Sequence, residues 1–174
     1  MLNSRYLIIF MLLLIGLIFI MRGDVSNDIY SDRNVEFAVF EKVNAEREAK
    51  GLNSLEWDDK AALVARQHSK AMAEQNFFSH DNPYGLSFNE RMNNLNAVGA
   101  GENILQMPSN SGKEVIEGER VLSVEKMSST AVSMWMNSAG HKANMLRPSY
   151  GKSGVGVYYD SKREIYFFTQ VFLA

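Results

Sequence analysis

The chain has 174 residues, a formal net charge of −2 and no cysteine. Without thiols there is no disulfide framework, no thiolate nucleophile, no cysteine-ligated zinc and no lipid anchor on an N-terminal cysteine. Two of the basic residues, Arg5 and Arg22, lie in the first 22 positions and no acidic residue does. The remainder therefore carries 16 basic against 20 acidic side chains, a net −4 that argues against nucleic acid and anionic lipid headgroups as partners.

Tyr6 to Met21 runs without a charge, and Arg22-Gly23-Asp24 closes it. This stretch is long for a signal-peptide core and slightly short of the ~17–25 residues of a full span. Small residues at both −3 and −1 would mark a cleavage site, but Met21 precedes Gly23 by two and Asp24 precedes Ser26 by two. We read residues 1–22 as an N-terminal hydrophobic helix serving as a signal anchor, with a removed signal peptide as the alternative. No face of the segment is polar, which argues against a buried core helix. The expected location is the cell membrane, single-pass with the domain outside, or secretion if Tyr6–Met21 is cut away; the membrane is touched through this segment only. Residues 23–33 read as a linker, and 34–174 as one domain, long enough for a core without covalent staples.

Within the domain, Asn34 is expected to cap a helix over Val35–Lys50, with Gly51 as its stop. Leu52, Leu55 and Trp57 form a short apolar crossing. Asp58 caps a second helix to about Gln75, with Ala61, Val64, Ala65, His68 and Met72 along one stripe. After Phe77-Phe78-Ser79-His80 comes a turn at Asp81–Gly85, and Ser87-Phe88-Asn89-Glu90 is a capping box opening a short helix. Gly99-Ala100-Gly101 breaks that helix and leads into a strand at Glu102-Asn103-Ile104-Leu105. Residues 108–119 are polar and read as a surface loop. A further helix around Met127–Asn137 presents Ala131 and Trp135, Ala139-Gly140-His141 ends it, and a turn-like helix carries Asn144-Met145-Leu146 up to Pro148. Alternation at Val155, Val157 and Tyr159, then at Ile165, Phe167, Thr169 and Val171, marks a closing hairpin around Asp160–Arg163. Three or four helices around a small, mostly antiparallel sheet is an α+β arrangement.

Three histidines can be weighed individually. His68 lies on the apolar stripe of its helix and reads as a structural, neutral imidazole. His80 precedes a turn, His141 follows Gly140 at a helix end, and Glu102 opens a strand. Two imidazoles and one carboxylate form the ligand set of an open zinc site, with water in the fourth position. The same groups equally make a hydrogen-bonded cluster that ties loops together. Ser138 and His141 have the types of a nucleophile and a base, although Ser-x-x-His at a helix end is common by chance. No phosphate loop, His-Glu-x-x-His or Gly-x-Ser-x-Gly motif occurs.

Taken in order, Val43-Asn44-x-x-Arg47, Gly51-Leu52, Leu55-x-Trp57, Ala65-x-x-His68-Ser69-x-x-Met72-Ala73, Phe77-Phe78-Ser79-His80 and Gly101-Glu102-Asn103-Ile104 are followed by Trp135-Met136-Asn137-Ser138-x-Gly140-His141-x-Ala143-Asn144-Met145-Leu146, Gly154-Val155-Gly156-Val157 and Thr169-Gln170-Val171-Phe172. This series resembles the CAP superfamily (cysteine-rich secretory proteins, antigen 5, pathogenesis-related proteins), in particular its prokaryotic SCP-like extracellular branch. The resemblance implies a three-layer α-β-α sandwich with a surface cleft that holds two His and two Glu in animal and plant members, and a divalent metal such as zinc in some. His80 matches the first His and Glu102 the Glu of the Gly-Glu-Asn motif. The second Glu position is Ser138 and the second His position is Phe167, so half the tetrad is absent; His141 is the histidine offered in replacement. The expected function is a non-enzymatic module binding an extracellular ligand, an envelope component or a metal through His80, Glu102, His141 and Ser138. A hydrolase acting on extracellular material, or a purely structural envelope protein, is the alternative.

Overall fold

The computed structural model describes residues 32–174 apart from 117. The expected hydrophobic helix over 1–22 and nearly all of the 23–33 linker lie outside the described residues. Among these, no helix is long and apolar enough to cross a membrane.

Helix α1 (Asp32–Glu48) starts earlier than expected, so Asn34 lies inside it and does not cap it. It ends as expected: Gly51 adopts φ +71°, a left-handed conformation open to a residue without Cβ, and its N–H bonds the Glu48 carbonyl. Strand β1 (Glu56–Trp57) is a two-residue crossing. Asp58 caps α2 (Asp59–Glu74), its carboxylate accepting from the Ala61 N–H at 2.9 Å. The capping box forms at α3 (Phe88–Met92), with Ser87 and Glu90 bonding each other's backbone N–H groups. Strand β2 (Ala100–Pro108) follows.

The stretch expected as a polar loop is a 3₁₀ turn and then a hairpin, β3 (Lys113–Ile116) with β4 (Glu119–Leu122), turning through Gly118 at φ +88°. Both strands are largely exposed, so no alternation of burial was written into the sequence to reveal them. Helix α4 (Val124–Met136) is capped by the Ser123 hydroxyl. Ala139-Gly140-His141 does not end it: Asn137 and the extended Ser138 separate it from α5 (Ala139–Met145), whose first turn holds His141. Strands β5 (Lys152–Asp160) and β6 (Ile165–Leu173) form the expected closing hairpin.

The main sheet has the order β1-β5-β6-β2, parallel at β1–β5 and antiparallel elsewhere. Helix α2 lies on one face, and two glycines explain how closely. A Cβ at Gly154 would fall 2.1 Å from the Ala62 nitrogen, and one at Gly156 would fall 2.1 Å from that of Arg66. Helix backbone rests directly on strand backbone there. On the other face, Gly101 abuts the side chains of Tyr150 and Asn144, and Tyr150 stacks on Phe172, with α4 and α5 covering this side. Helix α1 packs on α4 and along the edge of β5, where Glu36 accepts the Val157 N–H. Helix, sheet and helix form the expected layers. Trp135, Phe168, Phe172 and Met127 are fully enclosed, each stabilising by about 1.5–3 kcal/mol through burial.

One buried cation ties the helical layer together. Arg47 of α1 donates to the carbonyls of Asn53, Met145, Arg147 and Tyr150 at 2.7–3.1 Å. Those acceptors include the last carbonyl of α5, that of Met145, which the helix itself cannot satisfy. The Asn44 side chain both donates to and accepts from Leu55, fixing the start of β1.

Candidate functional site

Glu102 stands on β2 with its side chain on the α2 face, only 1% exposed. Three hydrogen bonds from two side chains reach its carboxylate. Arg91 Nη2, from α3, donates to Oε1 at 2.9 Å and to Oε2 at 2.8 Å, and His80 Nδ1 lies 2.9 Å from Oε1. The Arg91 side chain is itself 8% exposed. A carboxylate taken out of water needs such partners, because its desolvation otherwise costs several kcal/mol. The capping box sets Arg91 in place: it fixes the start of α3, and Arg91 Nη1 reaches back to the Leu86 carbonyl.

His80 sits in the loop after α2, and His68 holds that loop. Fully buried on α2, His68 places Nε2 2.9 Å from the Ser79 carbonyl. A carbonyl only accepts, so His68 Nε2 carries the proton. Its pKa is lowered by burial, with the nearby Glu102 carboxylate opposing. Hence the structural reading of His68 is right, and its neighbourhood is the site itself: Nε2 also lies 3.8 Å from Glu102 Oε1.

The same reasoning fixes the tautomer of His80. An ionised carboxylate only accepts, so Nδ1–H donates to Glu102, and in the neutral tautomer this leaves the lone pair on Nε2. The side chain is 50% exposed. It lines a cleft of about 610 Å³ together with Phe78, Ser79, Asp81, residues 104–106 of β2, and His141. A second hollow of about 360 Å³ shares His80 and Asp81 and adds Phe88, Asn89 and Glu102.

His141 reaches the cleft from the opposite side. Asn103 Nδ2 donates to the His141 carbonyl at 3.0 Å, and Asn144 Nδ2 donates to Asn103 Oδ1 at 3.0 Å and to the Glu102 carbonyl at 3.2 Å. Two asparagines thereby seat α5 beside the strand that carries Glu102. Burial lowers the His141 pKa, and His80 adds to the effect. Three of the expected site residues thus converge: His80 and His141 on one cleft, with Glu102 behind His80. Ser138 stands at the N-cap position of α5, without a side-chain capping bond, and lines neither of these two hollows. Arg91 was missed because nothing in its local pattern marks it; only its place in the capping-box helix points it towards the sheet.

The residues do not fit a zinc ion in this arrangement. Both Glu102 oxygens are engaged by Arg91 and one also by His80, and a guanidinium beside the carboxylate repels a dication. Among the described residues no three His, Asp or Glu side chains are grouped to hold a metal. The arrangement instead offers a carboxylate-oriented imidazole, open to hydrogen-bond donors on its Nε2 side.

Residues 40–172 match the model of the cysteine-rich secretory protein family, CAP. Two Bacillus subtilis (strain 168) proteins are similar: YkwD, 33% identical over 122 residues, and YlbC, named a membrane protein, 34% identical over 124 residues. Each alignment covers 70% of this chain but only 41% and 31% of those proteins, so the chain spans less than half the length of either. An extracellular SCP-domain protein from Bacillus anthracis superposes with a TM-score of 0.65 at 30% identity, covering 82% of this chain and 41% of that one. A structure of NaASP2 with Zn2+ superposes at 0.56 and 17% identity, covering 86% and 83%, and shares the fold.

Proposed function

The chain belongs to the cysteine-rich secretory protein (CAP) family, and from that premise we propose that it is an exported, membrane-tethered binding module whose cleft offers His80 Nε2 to an extracellular ligand. One observation carries the reading: Glu102, itself locked by Arg91, fixes the half-exposed His80 ring on a cleft of about 610 Å³ shared with His141. Such a site binds hydroxyl or amide donors against the apolar rim of Phe78. The uncharged Tyr6–Met21 stretch supports the tether, and a relative named a membrane protein and another named extracellular agree with it. Arg91 already supplies the positive charge at Glu102, so the carboxylate serves to orient His80 and not to hold a metal. The envelope is the expected source of the ligand. Cosedimentation of the full chain in detergent with purified Gram-positive cell walls tests it, wild type beside His80→Ala and His141→Ala. Retention that falls in both variants supports the cleft; equal retention of all three refutes it.

A hydrolase is the second reading, favoured by the carboxylate–imidazole pair, which is the base half of many acyl-transfer sites. The hydroxyl nearest in sequence, Ser79, lines the cleft but accepts from the Asp81 N–H at 3.2 Å. Release of new amino or reducing ends from the same wall preparation, lost in His80→Ala, would replace the binding reading with this one.

A further inference from the structure

The cleft floor is a strand edge. In the order β1-β5-β6-β2, strand β2 has a partner on one side only. Which of its backbone groups face away from β6 follows from two hydrogen bonds that bracket the ladder. Ala174 N–H donates to the Gly99 carbonyl, and Ser109 N–H to that of Glu164, each at 2.8 Å. The register between them is continuous, from Ala100 opposite Leu173 to Pro108 opposite Ile165. In an antiparallel ladder hydrogen-bonded positions alternate, so odd-numbered residues of β2 bond β6 and even-numbered ones turn N–H and C=O outwards. Side chains already use two of the outward carbonyls: Asn144 covers that of Glu102, and Trp135 Nε1 that of Ile104 at 3.3 Å. The next outward position, Gln106, is exposed and lines the cleft between the His80 loop and His141. Beyond it Pro108 has no N–H, which ends the pairing edge.

We propose that the cleft receives an extended peptide, which adds to the outer edge of β2 at Gln106. The proposal deepens the binding reading above and rests on it. Main-chain pairing supplies hydrogen bonds at Gln106 N–H and C=O, and one peptide N–H reaches His80 Nε2. Phe78, 47% exposed on the rim, takes an apolar side chain. Asp81 carries the one full charge among the residues lining the cleft, so a basic side chain is favoured beside it. A glycan could use Phe78 and His80 but has no need of the strand edge, which separates the two ligands.

The test uses the full chain, ¹⁵N-labelled in detergent micelles, and a pool of capped heptapeptides with lysine at the centre and the other positions randomised. Saturable shifts of the Gln106 amide are expected. Binding should weaken by roughly 2- to 10-fold for each hydrogen bond lost when alternate peptide nitrogens are methylated. Gln106→Pro removes an outward N–H that the ladder does not use, so the fold should survive and peptide binding weaken to a similar extent. Unchanged Gln106 shifts, or equal binding by methylated peptides, would overturn the proposal. Cell-wall glycan fragments that move His80 and Phe78 but not Gln106 would overturn it while leaving the binding reading intact. If neither peptides nor glycans perturb the cleft, both fail.

Discussion

Replacing Arg91 by methionine removes the cation that neutralises Glu102 while keeping most of the side-chain volume. The pair is almost fully enclosed, with the carboxylate 1% and the guanidinium 8% exposed, and Nη2 spans both oxygens at 2.8–2.9 Å. Breaking a buried ion pair from one side costs about 3–5 kcal/mol, because the remaining charge is left without its partner. Two features place Arg91→Met at the lower end. His80 Nδ1 keeps its bond to Oε1, and Arg91 Nε, buried without a hydrogen-bond partner, is no longer there. The expected loss is therefore about 3 kcal/mol. Urea unfolding of the Asp32–Ala174 unit, followed by the fluorescence of Trp57 and Trp135, measures it. Adding Glu102→Gln should recover part of the loss, giving a coupling above about 1 kcal/mol in the double-mutant cycle. A loss below about 1 kcal/mol with additive single effects would refute the view that Arg91 secures the site.

Three further outcomes follow from the geometry. Gly156→Ala drives a Cβ to within 2.1–2.5 Å of α2 backbone atoms, which cannot rotate away, so a cost near 3 kcal/mol or more is expected in the same unfolding assay. Arg47→Lys loses the planar fork that serves four carbonyls; a loss of about 2–3 kcal/mol and faster amide exchange in α5 should show together. His68 and His141 both have pKa values lowered by burial, so below the unfolded value of about 6.5 the unfolded chain binds more protons. Stability should therefore fall between about pH 7 and pH 5, before carboxylates titrate, and continue to fall until the folded imidazoles protonate; His68→Gln should flatten that slope.

Most of the scaffold was legible where a local signal and burial coincide. Asp58 and the Ser87–Glu90 box name their helix starts, Gly51 names a stop, and the alternation through Val155–Tyr159 and Ile165–Val171 names the closing hairpin. The β3–β4 hairpin is not legible because its strands are short and largely exposed, Val115 and Ile116 included, so burial left no period in the sequence. The sequence reading ends one helix at Ala139-Gly140-His141 and opens a turn-like one near Asn144, whereas α4 stops at Met136 and α5 already begins at Ala139. At the site, His80, His141 and Glu102 could be singled out by type. Their use could not, since the choice between a metal set and a hydrogen-bonded cluster turns on Arg91, brought to the carboxylate by a helix 11 residues away in sequence. The outward edge of β2 likewise depends on strand order and register, which no local pattern encodes.

Glu102 holds the Nδ1–H of His80 and leaves Nε2 free to receive a ligand. Long-range ¹H–¹⁵N correlation of the histidine rings at pH 8 tests it directly. A protonated Nδ1 and an unprotonated Nε2 are expected for His80, reverting towards the usual tautomer mixture in Glu102→Gln. An Nε2–H tautomer in the wild type, or a His80 pattern that ignores the loss of Glu102, would contradict it.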